Sequence, residues 1–308
     1  MAMATEDEYY VSTGEGTSQS RAEAWRIGFG LQAADGLTPS DYAVSQAREQ
    51  IDGRVSYAEV EHNLREYHEG NKSEEPHFEA DIVSTRISAI LQDDSFVLMP
   101  PMLRQIHRHL FQGVFRNDWV GVWRTVNISK REPVLGGDSV SYAPYHLVGE
   151  TLDYDFMEER KRGESYPGAS RRDIASSVFG FISGIWQIHP FREGNIRTTA
   201  VFAIMHLRRL GFTVDNTPFA SHAQYFRDAL VLDNTFDSDL KDPVPLQRFM
   251  DATLFDPSTP LPPLRHPNGV TESEPGSPAQ SQAPLPDPSP EPPSATALGY
   301  DSYHGPSL

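Results

Sequence analysis

The chain has 308 residues, of which 38% are hydrophobic, and it carries a formal net charge of −17 at pH 7. This length allows one large domain or two small ones, and the apolar fraction is sufficient for a real core. The acidic balance argues against nucleic acid as the main partner, because a phosphate backbone is bound by Lys and Arg.

The sequence contains no cysteine. This excludes a disulfide framework and a thiolate metal site, and it fits a cytosolic setting. No apolar run reaches the length of a membrane span, and residues 1–8 lack the basic and apolar parts of a signal peptide. We therefore expect a cytoplasmic protein with no membrane and no nucleic-acid partner.

The N-terminal part of the chain divides into two predicted regions. Residues 1–20 are polar and acidic and are predicted to be disordered. Residues 21–70 are predicted to form a small module of three helices. The signals that mark the ends of these helices are the stop at Asp35-Gly36, the N-cap at Ser40 and the capping box from Ser56 to Glu59.

The main globular domain is predicted to span residues 71–255, after a short acidic linker. Apolar residues at helical spacing predict helices over 82–91 and 102–115. His107 and His109 lie on the second of these helices, but no His-Glu-x-x-His arrangement accompanies them. We therefore assign these two histidines no chemistry.

The helical pattern is interrupted over residues 123–137. Val126 and Ile128 alternate with polar residues, and Pro133 and a Gly-Gly pair follow, which predicts a short β-hairpin. A surface loop is the alternative interpretation. Lys130 in this segment is placed to reach a phosphate or a target, although a solvated lysine fits the sequence equally well.

A tight polar loop then lies between two amphipathic helices, from Ile188 to Thr198. Apolar residues recur every three or four positions over residues 174–185 and again over residues 201–210. Gly211 ends the second pattern. The sequence therefore predicts a helix, a polar loop and a second helix.

The loop brings together groups suited to phosphate chemistry. A helix that begins near Asn195 points its unpaired N–H groups and positive dipole into the loop. Gly194 lets the backbone approach a ligand, and Arg197 adds a fixed charge. Glu193 suits a Mg²⁺ ion that bridges phosphates, and His189 can take a proton from a hydroxyl nucleophile. Each residue alone is more often a turn or helix-end residue, but together they predict phosphoryl or nucleotidyl transfer.

The run His-Pro-Phe-Arg-Glu-Gly-Asn-Ile-Arg-Thr from His189 to Thr198 resembles the signature of the Fic (Fido) family. That signature is usually His-x-Phe-x-Asp/Glu-Gly-Asn-Gly-Arg-x-x-Arg. The resemblance implies an all-α, Fic-type helical domain with a small β-hairpin flap, accompanied here by the N-terminal module and a disordered C-terminal tail. Family members are mostly protein adenylyltransferases, which move AMP from ATP to a Ser, Thr or Tyr hydroxyl of a target protein.

The resemblance also implies roles for the residues of the loop. His189 is the expected general base, Phe191 the anchor of the loop in the core, and Glu193 the Mg²⁺ ligand. The residues expected to contact ATP and its phosphates are Arg192, Gly194, Asn195, Ile196 and Arg197.

Two positions depart from the family signature. Ile196 stands where a glycine is usual, and Ala200 stands where a second arginine is expected to grip the γ-phosphate. Loss of a charged clamp on phosphate is expected to weaken ATP binding and orientation.

Two further segments gain an interpretation from the same resemblance. Residues 123–137 correspond to the flap, which carries Ser129 and Lys130 and binds the target segment by strand addition. Residues 31–37 resemble a degenerate inhibitory motif of the family's antitoxin-like modules, Ser/Thr-x-x-x-Glu-Gly, whose Glu pairs with the second motif arginine. Asp35-Gly36 replaces Glu-Gly and Ala200 replaces that arginine, so we do not expect autoinhibition through this salt bridge.

The last parts of the chain add a base contact and a tail. Residues 225–234 resemble the family helix whose terminal Asn faces adenine, so Asn234 is the predicted base contact, with a helix C-cap as the alternative. Residues 256–308 are rich in Pro, Ser and acidic residues, which is typical of an extended disordered tail. This tail is a candidate segment for binding a partner.

We therefore predict a protein adenylyltransferase with ATP as substrate, Mg²⁺ as cofactor, and a target protein as partner. Three alternatives stay open. They are a Fic-type phosphotransferase, transfer from another nucleotide donor such as GTP or UTP, and a catalytically weak member that binds nucleotide or protein.

Overall fold

The computed structural model describes residues 16–264. Most of the predicted disordered N-terminus (1–20) and most of the predicted tail (256–308) lie outside the described residues. The described residues contain no β-strand, and the predicted all-α fold is confirmed. Their α-helices are α1 Ser18–Gly30, α2 Asp41–Ile51, α3 Tyr57–Gly70, α4 Phe78–Ile90, α5 Pro100–Phe111, α6 Val148–Gly163, α7 Arg171–Ile188, α8 Asn195–Arg209, α9 Thr217–Ser221, α10 Ala223–Asn234 and α11 Val244–Leu254.

The N-terminal helices begin at the residues that the sequence signals indicate. Ser40 accepts a hydrogen bond from the backbone N–H of Ala43 and so caps α2. Ser56 and Glu59 form a reciprocal capping box at the start of α3. The first predicted helix is divided into α1 and a 3-10 helix, Leu31–Asp35, which ends at Gly36 in the left-handed conformation.

Helix α1 contributes buried side chains to two separate hydrophobic clusters. Trp25 is fully buried in a cluster with α2 and α3, whereas Ile27 on another face of the helix joins the main core. Gly30 permits this close docking, because a Cβ there would lie 1.9 Å from the carbonyl oxygen of Ala220 in α9. The N-terminal module is therefore packed tightly onto the rest of the chain. The boundary proposed at residue 70 falls between α3 and α4, and α4 contacts helices on both sides of it.

Helices α7 and α8 form the centre of the main core. They pack against each other, and α5, α6, α10 and α11 surround them. Every residue of α8 from Asn195 to Leu207 is buried. The predicted helix, polar loop and second helix are confirmed, and the loop of residues 189–194 joins the end of α7 to the start of α8. No helix within residues 16–264 is both long and apolar enough to cross a membrane.

The predicted β-hairpin of residues 123–137 does not form a strand ladder. The segment does double back, since the Glu132 N–H donates to the carbonyl of Asp138 at 2.9 Å around a 3-10 turn at Pro133–Leu135. Side chains bond two of its other backbone groups: Arg124 donates to the carbonyl of Val126 at 2.8 Å, and the Ser139 hydroxyl accepts from the N–H of Lys130 at 3.3 Å. The flap segment is therefore irregular in this structure.

Candidate active site

His189 ends helix α7 in an unusual backbone conformation. Its φ of 52° is the only positive φ of a non-glycine residue among the described residues. Its N–H still donates to the carbonyl of Ile185 at 3.3 Å, and its own carbonyl accepts from Nε of Arg124 at 2.8 Å. The buried Arg124, which the sequence analysis missed, also donates to the Ile188 carbonyl at 3.2 Å and so fixes the turn.

The imidazole of His189 is 3% exposed and has one free nitrogen. Nδ1 lies 3.2 Å from the carbonyl oxygen of Trp186, which can only accept, so we assign the proton to Nδ1. Nε2 is buried and has no hydrogen-bond partner. Burial holds the pKa of His189 well below its usual range, and the nearby charge of Lys130 lowers it further. The ring is therefore neutral, with an unpaired lone pair on Nε2.

The loop after His189 is braced by Asn195. The Asn195 Oδ1 accepts from the N–H of Phe191 at 2.9 Å, and its Nδ2 donates to the carbonyl of the same residue at 2.8 Å. Phe191 is 1% exposed and lies in the core, as expected for an anchor. The side chain of Asn195 therefore shapes the loop, and only its backbone N–H is left to face a ligand.

His107 on α5 supports the same loop, although the sequence analysis gave it no role. Its Nδ1 accepts from the N–H of Gly121 at 2.9 Å, so its Nε2 carries the proton and donates to the carbonyl of Glu193 at 3.0 Å. The ring stacks on Phe191 at 3.9 Å. Burial lowers the pKa of His107 to about 4, so this histidine is a neutral brace at neutral pH.

The burial of His107 predicts that the free energy of unfolding depends on pH, because the folded chain favours the neutral imidazole. Its pKa is about 4 in the folded chain against 6.5 in a model peptide. The stabilisation is complete above pH 6.5 and is lost as the pH falls toward 4, by about 3 kcal/mol at 1.36 kcal/mol per pKa unit. Denaturant unfolding at a series of pH values checks this. In His107→Gln the free energy of unfolding should depend less on pH than in the parent chain, whereas substitution of the exposed His62 by Gln should leave the pH dependence unchanged. Equal pH dependence in the parent chain and in both variants would contradict the prediction.

Glu193 is the candidate metal ligand, and Lys130 of the flap now pairs with it. The Lys130 Nζ lies 3.1 Å from Glu193 Oε2, and half of the Glu193 side chain is exposed. Among residues 16–264 there is no group of three His, Asp or Glu side chains that could hold a metal. A single open carboxylate fits a Mg²⁺ ion that arrives with phosphate oxygens, and it does not fit a permanent protein-bound metal.

Arg197 is enclosed by groups from the N-terminal module and from α4. Its guanidinium donates to Gln32 Oε1 at 3.0 Å and to Glu79 Oε1 at 2.6 Å, and its Nε lies 2.8 Å from Asp35 Oδ2. The contact with Asp35 is an attraction between charges without a well-directed hydrogen bond. The Arg197 side chain is 2% exposed and lies over the ring of Phe111. Asp35 therefore does have an arginine neighbour, Arg197, although Ala200 stands at the position of the arginine that the family motif would pair with it.

A second ion pair connects the flap to α10 and to the N-terminal module. Arg227 donates to Glu132 Oε2 at 2.9 Å and to the carbonyl of Ala34 at 2.9 Å. Glu132 is 1% exposed, and burial raises its pKa even though Arg227 opposes that change. Tyr142, which packs on the His189 ring at 4.1 Å, also donates to Glu132. Sequence reasoning missed this pair, because no motif marks either residue.

The structure does not bring all of the predicted site residues together. The guanidinium of Arg192 lies over the ring of Trp119, 5.0 Å from its centre. Asn234 donates to the hydroxyl of Ser183 at 2.7 Å, which ties α10 to α7. Ser129 is exposed on the flap. The residues that line the central cavity are Asp35, Lys130, Glu132, Trp186, His189, Asn195, Ile196 and Arg227.

This cavity is too small to hold a nucleotide in the present arrangement. Its volume is about 10 Å³, which is about the space that one water molecule needs. Ile196 lines its wall, and Ala200 is fully buried further along α8. A ligand as large as a nucleotide would fit only after lining groups, which include Asp35 on the 3-10 helix and Lys130 and Glu132 on the flap, had moved outward.

Comparison with known proteins places the site within one family. Residues 98–207 match the sequence model of the Fic/DOC family. The chain is 31% identical over 137 residues to the probable protein adenylyltransferase y4lH of Sinorhizobium fredii, a match that covers 44% of this chain and 65% of that protein. It is 26% identical over 113 residues to the protein adenylyltransferase VbhT of Bartonella schoenbuchensis, over 37% and 22% of the two chains. The matches thus span less than two thirds of either relative.

Solved structures with detectable similarity include two Bartonella effector proteins. The N-terminal FIC domain of Bep8 from Bartonella sp. 1-1C aligns with a TM-score of 0.46 at 15% identity, over 65% of this chain and 89% of that one. BepC of Bartonella tribocorum, with bound AMPPNP, aligns with a TM-score of 0.40 at 20% identity, over 51% and 74%.

The matched segment contains α7, the loop of residues 189–194 and α8 as far as Leu207, so residues 189–197 lie near its C-terminal end. The resemblance seen in the sequence is therefore confirmed: residues 98–207 of the chain carry a domain of the Fic/DOC family.

Proposed function

We propose that this chain is a protein adenylyltransferase that moves AMP from Mg-ATP to a hydroxyl group of a target protein. One observation carries the proposal: the buried, neutral His189 keeps an unpaired Nε2 in the cavity that borders the start of α8. A neutral imidazole beside the free amides of a helix N-terminus suits proton removal next to a phosphate. The names of the two adenylyltransferase relatives support the same reaction class.

The proposed reaction follows from the groups around the cavity. The target hydroxyl oxygen forms a bond to the α-phosphorus of ATP while its proton passes to Nε2 of His189. The bond between the α-phosphorus and the oxygen bridging to the β-phosphate breaks, and pyrophosphate leaves with that electron pair. The Nδ1–H bond to the Trp186 carbonyl holds the ring in position during this transfer. Backbone amides at the start of α8, from Asn195 onward, stabilise the charge on the phosphate oxygens.

Glu193 would hold a Mg²⁺ ion that enters with ATP. When bound, the ion neutralises charge on the phosphate oxygens. Lys130 pairs with Glu193 in the present structure, so it must release the carboxylate first. The exposed flap residues around Ser129 provide backbone groups for an extended target segment, in line with binding by strand addition.

Labelled nucleotides test this proposal directly. The chain is incubated with Mg²⁺ and with ATP labelled on either the α- or the γ-phosphate, and its intact mass and that of lysate proteins are measured. We expect protein-bound label from α-labelled ATP only. Label from γ-labelled ATP alone would identify a phosphotransferase, and stronger competition by GTP or UTP would identify another donor. An absence of nucleotide binding in calorimetry would favour a binding protein.

The contact between Asp35 and Arg197 leads to a prediction about nucleotide affinity. Asp35 lines the small cavity and attracts the arginine expected to contact phosphate. Replacing Asp35 with Asn removes that charge and raises the fraction of open chains, so we expect ATP to bind about tenfold more tightly, as measured by calorimetry. The exposed Asp41→Asn on α2 is the matched control. Equal ATP affinity for the parent and Asp35→Asn would show that this contact does not restrict the site.

A further inference from the structure

Two of the basic side chains on the motif and on the segments packed around it, Arg124 and Arg197, are bonded to or paired with protein groups. Arg124 is 3% exposed and donates to backbone carbonyls, including that of His189. Arg197 is 2% exposed and is bonded to or paired with Gln32, Asp35 and Glu79. Only Lys130 and Arg227 line the cavity itself. The residues of helix α8 that line the cavity, Asn195 and Ile196, are uncharged, so its cationic side chains come from the flap and from α10.

Arg227 is the better placed of these two cations for an anionic ligand. Lys130 is paired with Glu193, the candidate metal ligand, at 3.1 Å. Arg227 projects from α10 and is 20% exposed, ten times the exposure of Arg197. It is also close enough to His189 for its charge to lower the pKa of that imidazole. A ligand held by Arg227 would therefore lie beside the proposed base.

Glu132, the carboxylate that pairs with Arg227 in this structure, is an anion that a phosphate could replace. Glu132 presents Oε2 to Arg227 at 2.9 Å while its side chain is 1% exposed. A buried carboxylate is costly unless a cation accompanies it, and burial raises the pKa of Glu132. Phosphate oxygens accept the same planar, bidentate hydrogen bonds from a guanidinium as a carboxylate does.

We propose that Arg227 binds the phosphate chain of the nucleotide, and that Glu132 occupies the phosphate position while the site is empty. Entry of the nucleotide exchanges the Glu132 carboxylate for a phosphate oxygen and frees the flap from α10. This inference rests on the proposed function. The competing explanation is that Arg227 only ties the flap to the carbonyl of Ala34, which would make it a structural link.

Calorimetry on the full chain with Mg-ATP and with AMP separates these explanations. Glu132→Gln removes the competing charge, so ATP should bind about tenfold more tightly. Adding Arg227→Gln to that variant leaves no buried charge unpaired, and ATP affinity should then fall roughly 10- to 100-fold while AMP affinity changes little. Thermal unfolding verifies that each variant folds. Arg172→Gln, which removes an exposed arginine that pairs with Asp251, is the matched control.

The outcomes distinguish this inference from the proposed function. If Glu132→Gln binds ATP and the added Arg227→Gln leaves the affinity unchanged, Arg227 is only a structural link and the inference is wrong. An equal loss of ATP and AMP affinity would also contradict it, because the contact would then not lie on the phosphate chain. If Glu132→Gln binds neither nucleotide, both the proposed function and this inference fail.

Discussion

Replacing His189 with asparagine is expected to reduce AMP transfer by about 10²- to 10⁴-fold, the usual contribution of a general base. Asparagine suits this test because it tolerates the left-handed conformation that His189 adopts at φ 52°. Its amide can also donate to the Trp186 carbonyl, which accepts from Nδ1 in the parent chain. The fold should therefore survive while the free ring nitrogen is lost. Transfer from α-labelled ATP under single-turnover conditions measures the effect.

Two comparisons make this result specific to the base. His189→Ala should lose at least as much transfer and should also be less stable, because alanine is strained at positive φ. Nucleotide affinity should stay close to that of the parent in His189→Asn, since Nε2 acts on the hydroxyl and not on the phosphates. If His189→Asn labels protein at the parental rate, the proposed mechanism is wrong.

Replacing Gly194 with alanine is expected to lower the free energy of unfolding by about 3 kcal/mol and to abolish transfer. Gly194 has a φ of 74°, and a Cβ there would lie 2.4 Å from Cε2 of Phe111. Strain at positive φ costs about 1–2 kcal/mol, and forcing an extra methyl into a packed core costs about 1–3 kcal/mol more. The displaced backbone is the same turn that starts α8, so the ligand-facing amides would move with it. Denaturant unfolding and labelling measure the two effects.

Gly211 provides a matched control for this substitution. It has a φ of 73°, almost equal to that of Gly194, but no atom lies within 4 Å of a Cβ built on it. Gly211→Ala should therefore cost only the backbone term of about 1–2 kcal/mol and leave transfer unchanged. If the two alanine variants lose equal stability, the contact with Phe111 has no energetic importance and the rigidity of the loop has another origin.

Local patterns in the sequence were sufficient to predict the helices and the loop between them. The caps at Ser40 and Ser56 and the stop at Gly211 act within one turn of the chain, and each lies where its residue type indicates. The conformation of the flap was harder to predict. Alternating residues such as Val126 and Ile128 are compatible with a β-strand, but the alternation does not show which segment would pair with that strand. In the structure, side chains bond two of the backbone groups of the flap.

The contacts that close the site could not be read from the sequence, because they join distant positions. Arg197 meets Gln32 across 165 positions and Glu79 across 118, and no periodic pattern reports such a pairing. The comparison with the family motif indicated Ala200 as the missing partner of Asp35, yet the structure pairs Asp35 with Arg197. Likewise, His107 supports the loop through backbone atoms of Gly121 and Glu193, and backbone acceptors leave no trace in residue identity.

The acidic groups that enclose Arg197 lie on the same polypeptide and are translated before it. Asp35 and Glu79 are already present when the ribosome reaches residue 197, so newly made chains can close as they fold. Tethered groups meet at effective concentrations on the order of millimolar, and dilution of the protein does not separate them. Opening would therefore respond to a competing ligand or to proteolytic removal of the first helices, and not to a change in expression level.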